Sequence, residues 1–120
     1  MRLFHREKAP DTAYTKGVQG EKQALSYLRK KGYRLLQKRW RCHGGEIDLI
    51  MEDHGVIVFV EVKYRPEGHR GEGIEAVTEE KLRRLRLCAD TYLGPAPEKN
   101  ARIDILEITQ DGISHVENIY

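Results

Sequence analysis

Glu61 and Lys63 interrupt "VFVEVKYR", residues 58–65, in an otherwise apolar and β-branched run. Charged side chains are seldom buried unless they are paired or hold a metal. Upstream, Asp48 stands in "GEIDLI", residues 45–50. Two carboxylates and a lysine can hold a hard cation and direct water at a phosphate. The runs are joined by "EDHG". With His54-Gly55 as a two-residue turn, Asp53 pairs with Val56, Asp48 lies opposite Glu61, and Glu46 lies opposite Lys63. Alternation then predicts Glu46, Asp48, Glu61 and Lys63 on one face.

Opposed residues place their Cβ atoms roughly 4.5–5.5 Å apart. Two carboxylates about 5 Å apart repel by roughly 3 kcal/mol at an effective dielectric of about 20. Such a pair persists if it is solvated, shares a proton or holds a cation. The plainer reading is a surface Glu46–Lys63 ion pair beside solvated Asp48 and Glu61. Glu21 tilts the balance. It precedes Ala24, Leu25 and Leu28 at helical spacing, so it falls on their apolar face. Gly17 and Gly20 beside it would let that helix approach a sheet closely. The plainer reading of Glu21 is an acid favoured by a helix N-terminus.

The elements that must position these residues are legible in outline. Residues 16–31 read as a helix stopped at Gly32. Residues 33–42 read as a strand with Leu36, Trp40 and Cys42 on one side. Residues 46–52 form a second, with Ile47, Leu49 and Met51 on one face, and residues 56–65 a third. The Gly-rich stretch 66–75 is a loop. Thr78 can cap a second long helix whose stripe is Leu82, Leu85, Ala89 and Tyr92. Residues 102–109 form a fourth strand, and Asp111-Gly112 signals a hairpin into residues 113–120. The order α-β-β-β-α-β predicts an α/β fold: an antiparallel meander, a parallel crossover, and a mixed sheet flanked by helices.

With 120 residues, the expectation is one domain over 16–120 preceded by a flexible arm over 1–15. The longest wholly apolar run, Val56 to Val60, is far too short for a membrane span, and the N-terminus has no apolar signal-peptide core. Cys42 and Cys88 have no metal-ligand spacing and read as free thiols, which suits a reducing cytoplasm. Five scattered histidines offer no cluster. Net charge is +2, from 21 basic and 19 acidic residues, and does not by itself announce a nucleic-acid partner. Its distribution is more telling. Residues 29–41 hold seven Arg or Lys and residues 81–87 four, with no acid in either segment. Two solvated faces are the plainer account; phosphate contacts are the functional one.

Taken together, "GxxGE" at 17–21, "W-R-C" at 40–42, "GEIDLI", "FVEVKYR", "EAVTEEKLRRL" at 75–85 and "RIDIL" at 102–106 resemble the YraN-like family of bacterial proteins classed as endonucleases. They also resemble the D…(D/E)xK signature of restriction-endonuclease-like nucleases. The resemblance covers about residues 16–109. It implies a fold shared with Holliday-junction resolvases. It also implies Mg²⁺ or Mn²⁺ held by Asp48, Glu61 and the carbonyl of Val62, with Lys63 assisting the attacking water. A first-helix acid completes the site in related resolvases, which maps onto Glu21. Arg39 stands where the family pattern has Asn before the tryptophan.

The resulting expectation is a metal-dependent endonuclease acting on DNA, with branched and single-stranded forms among its candidate substrates. Arg39, Arg41, Arg65, Lys81 and Arg84 would contact phosphates. Residues 66–75 would form a flap, and a homodimer would suit paired cuts. The competing expectation is a non-catalytic nucleic-acid-binding module on the same fold.

Overall fold

The computed structural model describes residues 13–95 and 100–119, with side chains from Gly17 onward. Its elements are α1 (Ala13–Lys30), β1 (Arg34–Cys42), β2 (Gly45–Asp53), β3 (Val56–Arg65), α2 (Glu72–Glu75), α3 (Glu79–Leu93), β4 (Ala101–Thr109) and β5 (Gly112–Val116). Residues 1–12 of the expected arm lie outside the described residues. The helix begins at Ala13, earlier than its apolar stripe requires. No helix among the described residues is long and apolar enough to cross a membrane.

The sheet order is β1-β2-β3-β4-β5, with β3 and β4 parallel and the other neighbours antiparallel. The expected mixed α/β architecture is therefore present. The β2–β3 register follows the sequence reading from Asp53–Val56 to Leu49–Val60. His54 and Gly55 carry φ of 50° and 90°, the two positive values that a type I′ turn demands. In the β4–β5 hairpin Thr109 pairs with Gly112, so the turn falls on Gln110-Asp111, one residue before the expected position.

Helix α1 lays Ala24, Leu25 and Leu28 on Leu49, Met51, Val58, Val60, Leu106 and Ile108. Gly32, at φ 94°, ends α1, and the Tyr33 amide closes back on the Leu28 carbonyl at 3.0 Å. A Cβ at Gly20 would lie 2.6 Å from Tyr64 Cβ, whereas one at Gly17 would meet nothing within 4 Å. Of the two glycines expected to admit close approach, only Gly20 does so. Gly20→Ala is expected to destabilise the protein by roughly 1–3 kcal/mol through overpacking, against the helix propensity that favours Ala. Urea unfolding measures this, and an unchanged or raised midpoint would show that α1 can move away freely.

Helix α3 covers the opposite face. Thr78 Oγ1 accepts the Lys81 amide at 3.1 Å as its cap, and Leu85, Cys88 and Ala89 pack on Ile47, Ile50, Phe59 and Ile103. Cys42 and Cys88 are joined in a disulfide, with Cα atoms 5.5 Å apart. The expectation of two free thiols is thus overturned, and the inference of a reducing compartment that rested on it lapses. Residues 66–75 are not a free flap. Gln110 Nε2 donates to the Glu67 carbonyl at 2.9 Å. The Arg70 amide donates to Asp111 Oδ2 at 2.9 Å, and the Gly71 and Gly73 amides donate to the Glu107 carboxylate. The segment is moored along the β4–β5 edge.

Candidate functional site

Strand alternation fails at one place in β1 and β2 together, and the site is built there. Leu49 belongs to the α1-side core, while Ile47 joins Ile50 in the α3-side core. In β1, Lys38 reaches α1, while its near neighbour Trp40 packs on the α3 side. Lys38 pairs with Leu49 and Trp40 with Ile47, so both strands change faces between these pairs. Arg39, at φ 46°, lies between them in β1, and Asp48 lies between them in β2. Left-handed backbone is unfavourable for a non-glycine residue and is held only when its surroundings demand it. The expectation that Ile47, Leu49 and Met51 share one face is therefore incorrect, as is the four-residue charged face.

Past Leu49–Val60 the β2–β3 ladder ends. Asp48 bridges the parted strands: its Oδ2 accepts the Val62 amide at 2.7 Å. The Asp48 carboxyl is raised to about 7, by removal from water first and by the Glu61 charge second, with the Val62 hydrogen bond opposing both. Asp48 and Glu61 are thus brought into electrostatic contact, as the register implied, but through the gap between strands rather than side by side on one face.

Glu61 is 6% exposed and turned to the α3 side. Its Oε2 meets Lys63 Nζ at 3.3 Å and Lys81 Nζ at 3.4 Å. Glu46 pairs with Arg41 at 3.3 Å, so the Glu46–Lys63 pair does not form. Lys81, expected on phosphate, is first a counter-ion of Glu61.

On the α1 side a cleft of about 230 Å³ is lined by Glu21, Arg39, Glu46, Asp48, Val62 and Tyr64, among others. Glu21 is buried on the inward face of α1, as its spacing predicted. Its Oε2 lies 3.1 Å from Arg39 Nε, with Lys38 Nζ at 4.0 Å from Oε1. On the α3 side a smaller hollow is lined by Gly44, Gly45, Glu46, Lys81 and Arg84. The Asp48–Glu61 gap is thus flanked by basic side chains on both faces of the sheet. Arg41 and Arg84 are exposed beside the acids Glu46 and Glu80. Arg65 is exposed at the far end of β3, and among the described residues no ion pair joins it to the acids.

The donor set can be weighed for a cation. Among the described residues no group of three or more His, Cys, Asp or Glu converges. Asp48 and Glu61 remain, each with one carboxylate oxygen engaged by neighbours and the other without a hydrogen bond or ion pair among the described residues. Mg²⁺ binds through one or two carboxylates and keeps several waters, so two acids and the Val62 carbonyl suffice. A half-buried carboxyl raised to about 7 is also one whose charged form a bound cation would favour. Glu21, expected to complete the site beside these ligands, faces the same cleft as Asp48 and is paired with Arg39.

Two further features escaped the sequence reading. Glu107 is fully buried, yet it stands among the isoleucines of one face of β4, and an acid in such a row is a readable signal. The histidines serve elsewhere. His115 Nε2 donates to buried Asp104 at 2.8 Å, and Lys31 Nζ donates to His115 Nδ1 at 2.8 Å, tying β5 to β4 and α1.

Comparison with known proteins follows the same span of chain. The model of a family described as "Uncharacterised protein family UPF0102" matches residues 20–108. A UPF0102 protein of Nitrosococcus oceani is 44% identical over 105 residues, covering 85% of each chain. One of Persephonella marina is 37% identical over 90% of this chain and 95% of its own. One of Herminiimonas arsenicoxydans is 39% identical over 98% of this chain and 97% of its own.

Proposed function

The chain belongs to the uncharacterised protein family UPF0102, and from the site it carries we propose that it is a metal-dependent endonuclease hydrolysing phosphodiester bonds in DNA. The observation that carries this reading is the meeting of Asp48 and Glu61 across a parted hairpin, with Lys63 on Glu61. The order of elements, α-β-β-β-α-β, supports it as the frame in which D…ExK sites occur.

Asp48, Glu61 and the Val62 carbonyl would hold Mg²⁺ or Mn²⁺. The ion would supply Lewis-acid charge for the phosphoryl oxygens. Lys63, 3.3 Å from Glu61 Oε2, would orient the attacking water and offset charge as it develops on the phosphate. Arg39 and Arg84 border the gap from opposite faces of the sheet, where phosphates of a nucleic-acid strand would run. Glu21, through its pair with Arg39, sets where that guanidinium rests.

Incubation with plasmid, single-stranded and four-way-junction DNA tests the proposal. Cleavage is expected with millimolar Mn²⁺ or Mg²⁺, absent in chelator, and reduced by Lys63→Ala by about 10²–10³-fold. Binding of all three DNAs without cleavage under any metal would replace the enzyme by a nucleic-acid-binding module.

A further inference from the structure

Glu107 lies wholly inside β4, and the chemistry above makes no use of it. A buried carboxylate needs hydrogen-bond donors. Its donors are two backbone amides of the moored segment: Gly71 N–H to Oε1 and Gly73 N–H to Oε2, both at 2.8 Å. In the parallel β3–β4 register Glu107 stands beside Lys63. Gly73 fills the space above them. A Cβ there would lie 3.0 Å from Lys63 Cβ, 3.3 Å from Lys63 Cγ and 3.2 Å from Glu107 Oε2. Glycine is a poor helix former, and this close approach is the physical reason for one inside α2.

We propose that Glu107 is a positioning residue for Lys63. It draws the Gly71–Gly73 turn down onto the aliphatic stem of Lys63, so that the ammonium is held on Glu61. A lysine side chain otherwise carries large rotamer freedom. With its Cβ and Cγ covered by Gly73, the stem is confined and Nζ stays 3.3 Å from Glu61 Oε2. The catalytic part of this inference rests on the nuclease reading of Lys63; the positioning part does not.

Two variants separate the clamp from general stability. Glu107→Gln keeps the volume but turns one acceptor into a donor facing a backbone amide. Gly73→Ala leaves Glu107 in place and presses on Lys63. Each is expected to lower kcat for Mn²⁺-dependent cleavage by about 10–100-fold, with KM for DNA near wild type. In a Lys63→Ala background the same changes should have little further effect, because coupled residues are not additive. A readout independent of activity is the ¹³C resonance of dimethylated Lys63. It should be resolved from the exposed lysines in the wild type and move toward them in both variants. Full additivity with Lys63→Ala, or an unmoved Lys63 resonance in Gly73→Ala, would overturn the proposal. If the wild type never cleaves, the nuclease reading fails while the resonance still decides whether Glu107 positions Lys63. If Glu107→Gln does not fold, Gly73→Ala alone decides.

Discussion

In metal-free buffer near neutral pH, Asp48→Asn is expected to be more stable than the wild type, and with Mn²⁺ added it is expected to lose at least about 10²-fold in cleavage. Both effects come from one carboxylate. Removal from water and, second, the Glu61 charge together lift the folded-state Asp48 carboxyl from an ordinary 3.8 to about 7. Below pH 4 Asp48 is protonated in folded and unfolded chains alike, and its ionisation costs nothing. Between pH 4 and 7 the unfolded chain gives up the proton while the folded chain retains it. Unfolding therefore becomes more favourable as pH rises, and the loss levels off above 7. Asparagine does not titrate, and it can still accept the Val62 amide. Thermal unfolding of both proteins in chelator from pH 4 to 8 should show a gap that widens to about pH 7 and then holds. A constant gap would mean that Asp48 ionises normally. Added Mn²⁺ should stabilise the wild type most above pH 7, since ligation requires the proton to leave.

Reduction of the Cys42–Cys88 bond is expected to lower stability by about 2–4 kcal/mol. The bond spans 46 residues and fastens the end of β1 to α3. A loop of that size falls in the middle of the range where restriction of the unfolded chain is substantial. For a domain of this length the melting midpoint should fall by roughly 10 °C. Cys88→Ala should melt near the reduced wild type and be indifferent to reductant. Equal midpoints for oxidised and reduced wild type would show that packing alone holds α3 on the sheet. The bond also bears on the site. A Cβ at Gly45 would lie 3.2 Å from Cys88 Sγ, so the disulfide lies under the turn that carries Glu46 to the basic hollow.

How far these features could be read from the sequence depended on how local their causes are. The β2–β3 register was legible because a two-residue turn and strict alternation leave one solution, and Glu21 was legible from helical spacing. The parting of the strands at Asp48 was not. It lies level with the left-handed Arg39 on the neighbouring strand, and arginine gives no hint of positive φ. The Cys42–Cys88 pairing joins β1 to α3 across the sheet, a contact no local pattern announces. Glu107 could have been found from its place among isoleucines. Its partners are backbone amides of a Gly-rich stretch that reads as a loop, and nothing there marks them as donors. Lys81 was chosen for its charge, but its pairing with Glu61 at 3.4 Å joins α3 to β3 across a long stretch of chain and left no local mark.

The tight His54-Gly55 turn also bears on the order in which the molecule assembles. A hairpin closes in about 1–10 μs, whereas parallel pairing must wait for its crossover to be spanned. Asp48 and Glu61 belong to the hairpin. Lys81 and Glu107 arrive only with the α3 crossover and β4. The folding chain is therefore expected to bring its two acids near each other before Lys81 and the Gly71–Gly73 turn on Glu107 are in place. Repulsion between them weighs on the early hairpin more than on the finished protein, so acid or divalent cations in the folding buffer would ease that first step.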